Sequence, residues 1–253
     1  VIFGGALSYY DLESEFDESP TVAGGNSDAD GFGGFIYSTW YSGNFYVDGL
    51  LGYAVSNYDL RRNIVIPNAN SPGDSITETA KASPDSKDLS ASIGAGYNWS
   101  LGSASINPYG RLNYLSVDID SYKEKGAEAS GLNLAVDGQD WKSLTTALGA
   151  QFNYVFSTDT GVVIPQFKLG WVHQFEDDAI IFDAVYIDDP FKDEAGHTLR
   201  AATDDPDSDY FELGLAVSGV FQGGVQVFVS YDTLLGFEDL STHLFTLGGR
   251  WEF

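Results

Sequence analysis

Ten stretches of this chain alternate apolar residues with small or polar ones, and the connections between them are alternately short and long. The stretches run roughly over 1–10, 30–41, 44–59, 86–100, 103–120, 137–156, 161–177, 208–221, 224–233 and 239–253. In "LTTALGAQFNYV", Leu144, Thr146, Leu148, Ala150, Phe152 and Tyr154 share one parity, and Thr145, Ala147, Gly149, Gln151 and Asn153 share the other. Successive side chains of a strand point to opposite faces, so each stretch predicts a strand with one apolar face. The tight connections are "YSGN" at 41–44, "SLGS" at 100–103, "STDTG" at 157–161 and "QGG" at 222–224. Between them lie about 11–29, 60–85, 121–136, 178–207 and 234–238. In an up-and-down meander, alternate connections fall at opposite ends. One end therefore carries tight turns. The other carries the long loops and much of the acid, as in "DLESEFDES", "FEDDA", "IDDPFKDEA" and "TDDPDSD".

What the apolar face touches decides the fold. In a soluble sandwich that face packs inward, and the outer face is rich in charge. Here the opposite face is Gly, Ser, Thr, Ala, Asn and Gln, which suits a crowded barrel interior. Tyr97, Trp99, Phe152, Tyr154, Phe221, Trp251 and Phe253 fall toward the tight-turn end, with Trp40, Tyr41 and Phe45 nearby. Tyr58, Phe175 and Tyr210 fall near the other rim. Aromatic girdles of this kind sit at lipid headgroups. Several stretches exceed twice the ~5–6 residues usual for a strand. In hydrocarbon every backbone polar group needs a partner, which for strands means a closed barrel. The sequence thus predicts an all-β fold: one antiparallel up-and-down transmembrane β-barrel domain over 1–253, with ten strands visible, short periplasmic turns and long acidic extracellular loops. No 18-residue apolar run suggests a transmembrane helix, and half-apolar strands would not produce one.

Composition narrows the partners. The net charge of −25 argues against nucleic acid, which needs a basic footprint, and against simple docking on anionic lipid. Cys is absent, so neither a disulfide nor a thiolate metal site is available. Met is absent as well, as expected of a processed or trimmed chain.

The stretches "GNFYVDGLLGYAVSNYDLRR", "GAGYNW", "PYGRLNYLSVDIDSYKEKGA", "SLTTALGAQFNY", "VIPQFKLGWVHQF" and "TLGGRWEF" together resemble the translocator β-domain of autotransporters, the type V secretion proteins of Gram-negative bacteria. The resemblance implies a monomeric outer-membrane barrel that accompanies its own N-terminal passenger across that membrane. It also implies assembly by the BAM machinery. The closing strand resembles the signal that machinery reads, which gives Phe245, Leu247, Trp251 and Phe253 that role. The family's barrel has twelve strands after a linker helix, and "VIFGGALSYY" is similar to its third strand. Either the first hairpin lies outside this chain or the chain is a ten-stranded relative.

Other chemistry is weighed against this. Outer-membrane barrel hydrolases use His with Asp, Glu or Ser at the extracellular rim. The three His here are His173 (near Glu176, Asp177 and Asp178), His197 in a long loop and His243 (near Glu238 and Asp239). His173 shares the parity of Trp171 and Phe175, which suits a rim side chain, so no catalytic residue is expected. "DDPDSD" at 204–209 and "DID" at 118–120 have carboxylates for Ca²⁺ but complete no EF-hand; no metal or cofactor is expected. Acidic loops also suit divalent ions that bridge to lipopolysaccharide phosphate. Asp48, Arg111, Lys168, Glu212, Arg250 and Glu252 fall on the predicted lumen face, as an ion-pair network or a contact for the passenger or linker. The alternative reading is a stand-alone barrel acting as a channel or adhesin, and a rim hydrolase comes third.

Overall fold

The structure, a computed structural model, describes all residues except 17–22, 68–74, 177, 204, 238–240 and 252–253. Its strands in chain order are β1 (Ile2–Phe16), β2 (Gly25–Ser42), β3 (Phe45–Ile66), β4 (Ile76–Ala82), β5 (Asp85–Tyr97), β6 (Trp99–Leu101), β7 (Ala104–Ile119), β8 (Tyr122–Lys123) and β9 (Leu134–Val136). There follow β10 (Gln139–Tyr154), β11 (Phe156–Thr158), β12 (Gly161–Gln174), β13 (Ile181–Tyr186), β14 (Leu199–Ala202), β15 (Asp209–Phe221), β16 (Val225–Leu235) and β17 (His243–Trp251).

One curled antiparallel sheet runs β1-β2-β3-β5-β7-β10-β12-β15-β16-β17. These ten strands correspond one to one with the ten alternating stretches. β6 and β11 lengthen strands at the tight-turn end, and β4 pairs with the far end of β3. At two of the tight turns Gly43 and Gly102 take φ of +61° and +67°, a region that only glycine enters without a steric penalty. β1 and β17 are the two ends of the path, so the expected ladder between first and last strands is absent among the described residues.

The packing is inverted relative to a soluble protein. The buried hydrophobic residues described are Ala29, Ile64, Ala80, Ala82, Ala127, Val136, Ala147 and Val172, none larger than Ile. Most large apolar residues of the sheet face outward, where Leu148 is 51% exposed, Phe211 48% and Leu247 82%; Phe228 and Leu244 are exceptions on the other face. The two sets are separated by parity. Ala147 lies opposite Val172 on one face, while Leu148 lies opposite Trp171 and Trp171 opposite Phe211 on the other. Among the described residues no second layer covers the apolar face, so the strands are not half of a sandwich.

The strands continue past any bilayer. About 9–11 residues suffice to span one, and β3 has 22. β1 and β2 likewise pair through residues 11–16 and 25–30, so the ladder extends into 11–16 and 25–29, which lie in the connection that the alternation predicts. The loops at 121–136 and 178–207 build a second, four-stranded sheet in the order β14-β13-β9-β8. These strands of two to six residues are too short to show a period in sequence.

Candidate functional site: the small-residue face and its outer cap

The strands place the expected lumen charges on one face because directly opposed residues in a ladder share a face. Asp48 lies opposite Gly94, and Gly94 opposite Arg111. Across that glycine Arg111 Nη2 donates to Asp48 Oδ2 at 3.3 Å. Gly214 lies between Lys168 and Asp232 on the same face. Lys168 Nζ donates to Glu212 Oε2 at 2.8 Å and stands 5.7 Å from the Tyr109 ring centre. Arg250 lies opposite Gln226 on the same face; Glu252 is outside the described residues. The face is knitted further by neutral groups. Ser92 donates to Asn113, Asn113 to Thr145, and Asn153 to Ser105. Tyr109 lies flat over Gly149 and Gly170, where an added Cβ would stand 2.6 and 2.7 Å from its hydroxyl. Tyr46 covers Gly96 in the same way. Small residues are thus required wherever a neighbouring strand's ring crosses them. A cavity of about 510 Å³ opens beside Asp48 and Arg111, lined also by Tyr37, Tyr41 and Tyr46.

The terminal strand carries Phe245, Leu247 and Trp251 on the opposite, apolar face. Phe245 packs on Tyr231 at 4.8 Å between ring centres, and Trp251 Nε1 donates to the Gly223 carbonyl at 3.2 Å. Phe253 lies outside the described residues.

The histidines are placed apart from one another. His173 Nδ1 is 3.1 Å from Asp209 Oδ1, which also accepts from Trp171 Nε1 at 2.8 Å. The ring sits between Trp171 and Phe175. His243 Nδ1 is 2.8 Å from the Tyr231 hydroxyl, and Ser241 Oγ is 3.3 Å from its Nε2. His197 Nδ1 is 2.8 Å from Asp189 Oδ2. The neighbours Asp177, Glu238 and Asp239 lie outside the described residues. Of the proposed calcium segments, Asp118 opposes Lys87 and Asp140, Asp120 lies 4.0 Å from Lys87, and Asp209 serves His173 and Trp171. Among the described residues no three such groups converge on a metal position.

Sequence reasoning missed the cap. Its anchor is Glu124, 8% exposed, which accepts from Arg62 Nε at 2.9 Å, Arg62 Nη2 at 2.5 Å and the Leu134 amide at 2.9 Å. Arg62 Nη2 also donates to the Leu132 carbonyl at 2.9 Å. The hydrogen bonds to Glu124 hold the Arg62 pKa above its ordinary value. Burial raises that of Tyr122. Beneath the pair, Ile64, Ala80 and Ala127 form a small core with Leu132. A backbone bridge joins Lys81 to Lys125 at 2.8 and 2.9 Å. Farther out, the carboxylates are held below their usual range: Glu128 by the Gly126 amide, Asp183 by Arg200, and Asp189 by the Phe191 amide and then His197. The one sequence signal was the basic "RR" at 61–62 in a chain so acidic; its partner 62 residues away had none.

Against known proteins, a family model described as the Autotransporter beta-domain matches residues 1–232. The chain is 30% identical over 152 residues to the putative uncharacterized protein YaiT of Escherichia coli (strain K12), covering 59% of this chain and 14% of that protein. The protein YaiT of Salmonella typhimurium (strain LT2) is 29% identical over 152 residues, with the same coverage. The match therefore spans about a seventh of the length of these relatives. The translocator domain of the autotransporter NalP from Neisseria meningitidis superposes with a TM-score of 0.67 over 99% of this chain and 76% of that one, at 17% identity. The β-domain of the Bordetella autotransporter BrkA gives 0.54 over 99% and 91%, at 16% identity. At these identities the likeness is one of fold.

Proposed function

The chain belongs to the autotransporter β-domain family, and from that premise we propose that it closes into a ring, anchors an N-terminal passenger in the outer membrane and helps to export it. Autotransporter β-domains are outer-membrane translocators, transport modules joined to a passenger segment. The observation that carries the reading is the inverted packing: large apolar side chains outward with no layer over them, and small and ion-paired residues on the other face.

The finer assignments rest on physical argument. An open strand edge in hydrocarbon leaves a row of unpaired amides and carbonyls. β1 and β17 therefore need partners, either each other or a further hairpin. A further hairpin is supported by the fact that nearly all of this chain matches only 76% of the NalP domain. Either way 1–253 contributes to a single barrel domain and acts as a monomer. Phe245, Leu247, Trp251 and Phe253, on the last strand, are assigned to recognition by the BAM machinery. Asp48 with Arg111 ties β3 to β7 across β5, Lys168 with Glu212 ties the adjacent β12 and β15 on the lumen face, and Arg250 and Glu252 extend that set. The acidic outer strands and loops meet lipopolysaccharide through bridging divalent ions.

The test is export from cells expressing the complete gene. Protease added to intact cells should reach the upstream segment, and Phe245→Asp with Leu247→Asp should abolish both that exposure and the folded barrel. Undiminished exposure in the double variant would overturn the terminal-strand assignment. A chain that stays folded in buffer without detergent would overturn the membrane reading itself.

A further inference from the structure

On the apolar face, side-chain rows run across β1, β2, β3 and β5. One row is Phe3, Ser38, Gly49 and Ile93; the next is Gly5, Ile36, Leu51 and Ala91; the third is Leu7, Gly34, Tyr53 and Leu89. Ser38 and Gly49 lie directly opposite each other, so the first row has a notch two strands wide. The notch is walled by Phe3, Ile36, Trp40, Val47, Leu51 and Ile93 and measures about 610 Å³. A second notch of about 540 Å³ opens beside Gly5, with Leu7 over Gly34 as one wall, and shares Ile36 and Leu51 with the first. Gly110 and Gly219 on this face are covered, by Leu148 and by the Phe221 ring. Gly49 is not. An added Cβ there would have only the Ser92 carbonyl near it, at 3.7 Å.

We propose that these linked notches form a fixed binding groove for one acyl chain of a glycerophospholipid from the leaflet on the tight-turn side. The inference rests on the reading that this face meets hydrocarbon. The groove's span fits the occupant. From the row of Trp40 and Val47 to that of Gly34 and Tyr53 is six residues along each strand, which is roughly 20 Å of strand. At a tilt of about 40° that covers roughly 15 Å of depth, half of a ~30 Å hydrocarbon core. Its lower end lies beside the turn after Ser42, where Trp40 and Phe45 meet edge to face at 6.3 Å, a pair suited to the headgroup level. A chain seated there gains contacts on three sides that a lipid on the filled sector around Leu148 and Trp171 does not.

The protein extracted from outer membranes in mild detergent is weighed by native mass spectrometry. The unmutated protein should retain a phospholipid mass. Ser38→Leu with Gly49→Leu, which fill the floor, should lower its occupancy by about tenfold, the effect of losing about two methylene contacts. Ala150→Leu, outside the groove on the same face, should leave occupancy unchanged. Ser38→Leu alone carries the test if the double variant fails to fold. Equal occupancy in wild type and filled variants, retention of detergent only, or a retained lipopolysaccharide mass would each overturn the groove. None of these results bears on whether the protein needs detergent to stay folded, which tests the membrane reading separately.

Discussion

Arg62→Met isolates the anchor of the outer cap. The substitution keeps most of the stem but removes two hydrogen bonds from a carboxylate that is 8% exposed, leaving Glu124 with the Leu134 amide alone, and a third from the Leu132 carbonyl. Losing one partner of a fully buried ion pair costs about 3–5 kcal/mol, and losing an exposed pair costs about 0–1 kcal/mol. Arg62 is itself 40% exposed, so water reaches the guanidinium side of the pair. The cost should fall between those limits, at about 1–3 kcal/mol. The penalty is local, because Glu124 sits in the cap rather than in the ten-strand sheet. It should appear as easier opening of residues 122–136, with amide exchange there faster by roughly 5- to 150-fold and exchange in 139–154 unchanged. Adding Glu124→Leu removes the stranded charge and should restore most of the protection. The reasoning is refuted if Arg62→Met leaves exchange in 122–136 at the wild-type rate. It is refuted equally if β10 loses protection to the same extent, since the pair would then belong to the sheet as a whole.

Three further outcomes test the faces and the loops. Leu148→Arg, near the middle of its strand on the exposed apolar face, should destabilise the protein folded in lipid vesicles by about 2–4 kcal/mol, measured by urea titration in those vesicles; an unchanged stability would contradict the lipid-facing assignment. Gly149→Ala should cost about 1–3 kcal/mol because its Cβ would meet the Leu169 carbonyl as well as the Tyr109 hydroxyl at 2.6 Å, whereas Gly170→Ala meets only the movable tip of Tyr109 at 2.7 Å and should cost less; equal losses would contradict the difference between backbone and side-chain contact. Glu128, Asp183 and Asp189 have lowered pKa values, so their stabilisation is complete above the unfolded carboxylate range near ~4 and fades as pH falls through their folded values; amide protection over 181–202 should therefore hold at pH 6 and drop on acidification toward pH 3, and no drop would contradict the assignment.

The barrel strands were legible because one rule governs most of their positions: apolar residues outward, small residues inward, turns between. A period of two survives in Leu144–Tyr154 and Phe211–Phe221 because each outward residue answers to the same solvent and each inward one to the same crowding. The rule lapses where strands leave the membrane. Residues 11–16 and 25–30 pair as regularly as the rest, yet Asp11, Glu13, Glu15, Asp28 and Asp30 share a face with Phe3 and Phe32 and meet water instead. All of them but Asp30 fall outside the alternating stretches, because burial contrast, not strand geometry, writes the pattern. The lumen pairs were legible only by face. Parity placed Asp48 and Arg111 together, but the glycine between them that lets their side chains meet had no signature of its own.

The cap was illegible for a different reason, and that reason bears on its role. Its strands β8, β9, β13 and β14 are too short for a period, and its stability comes from one specific long-range contact rather than from a repeated preference. A sheet held by continuous ladders from β1 to β17 shares its stability among all its strands. A cap held chiefly by Arg62, Glu124, a bridge at Lys125 and a core of three buried residues opens as a unit when one contact fails. The difference between the two kinds of stability predicts that the outer sheet exchanges its amides at a rate set by a single pair, while the membrane sheet beneath it does not notice.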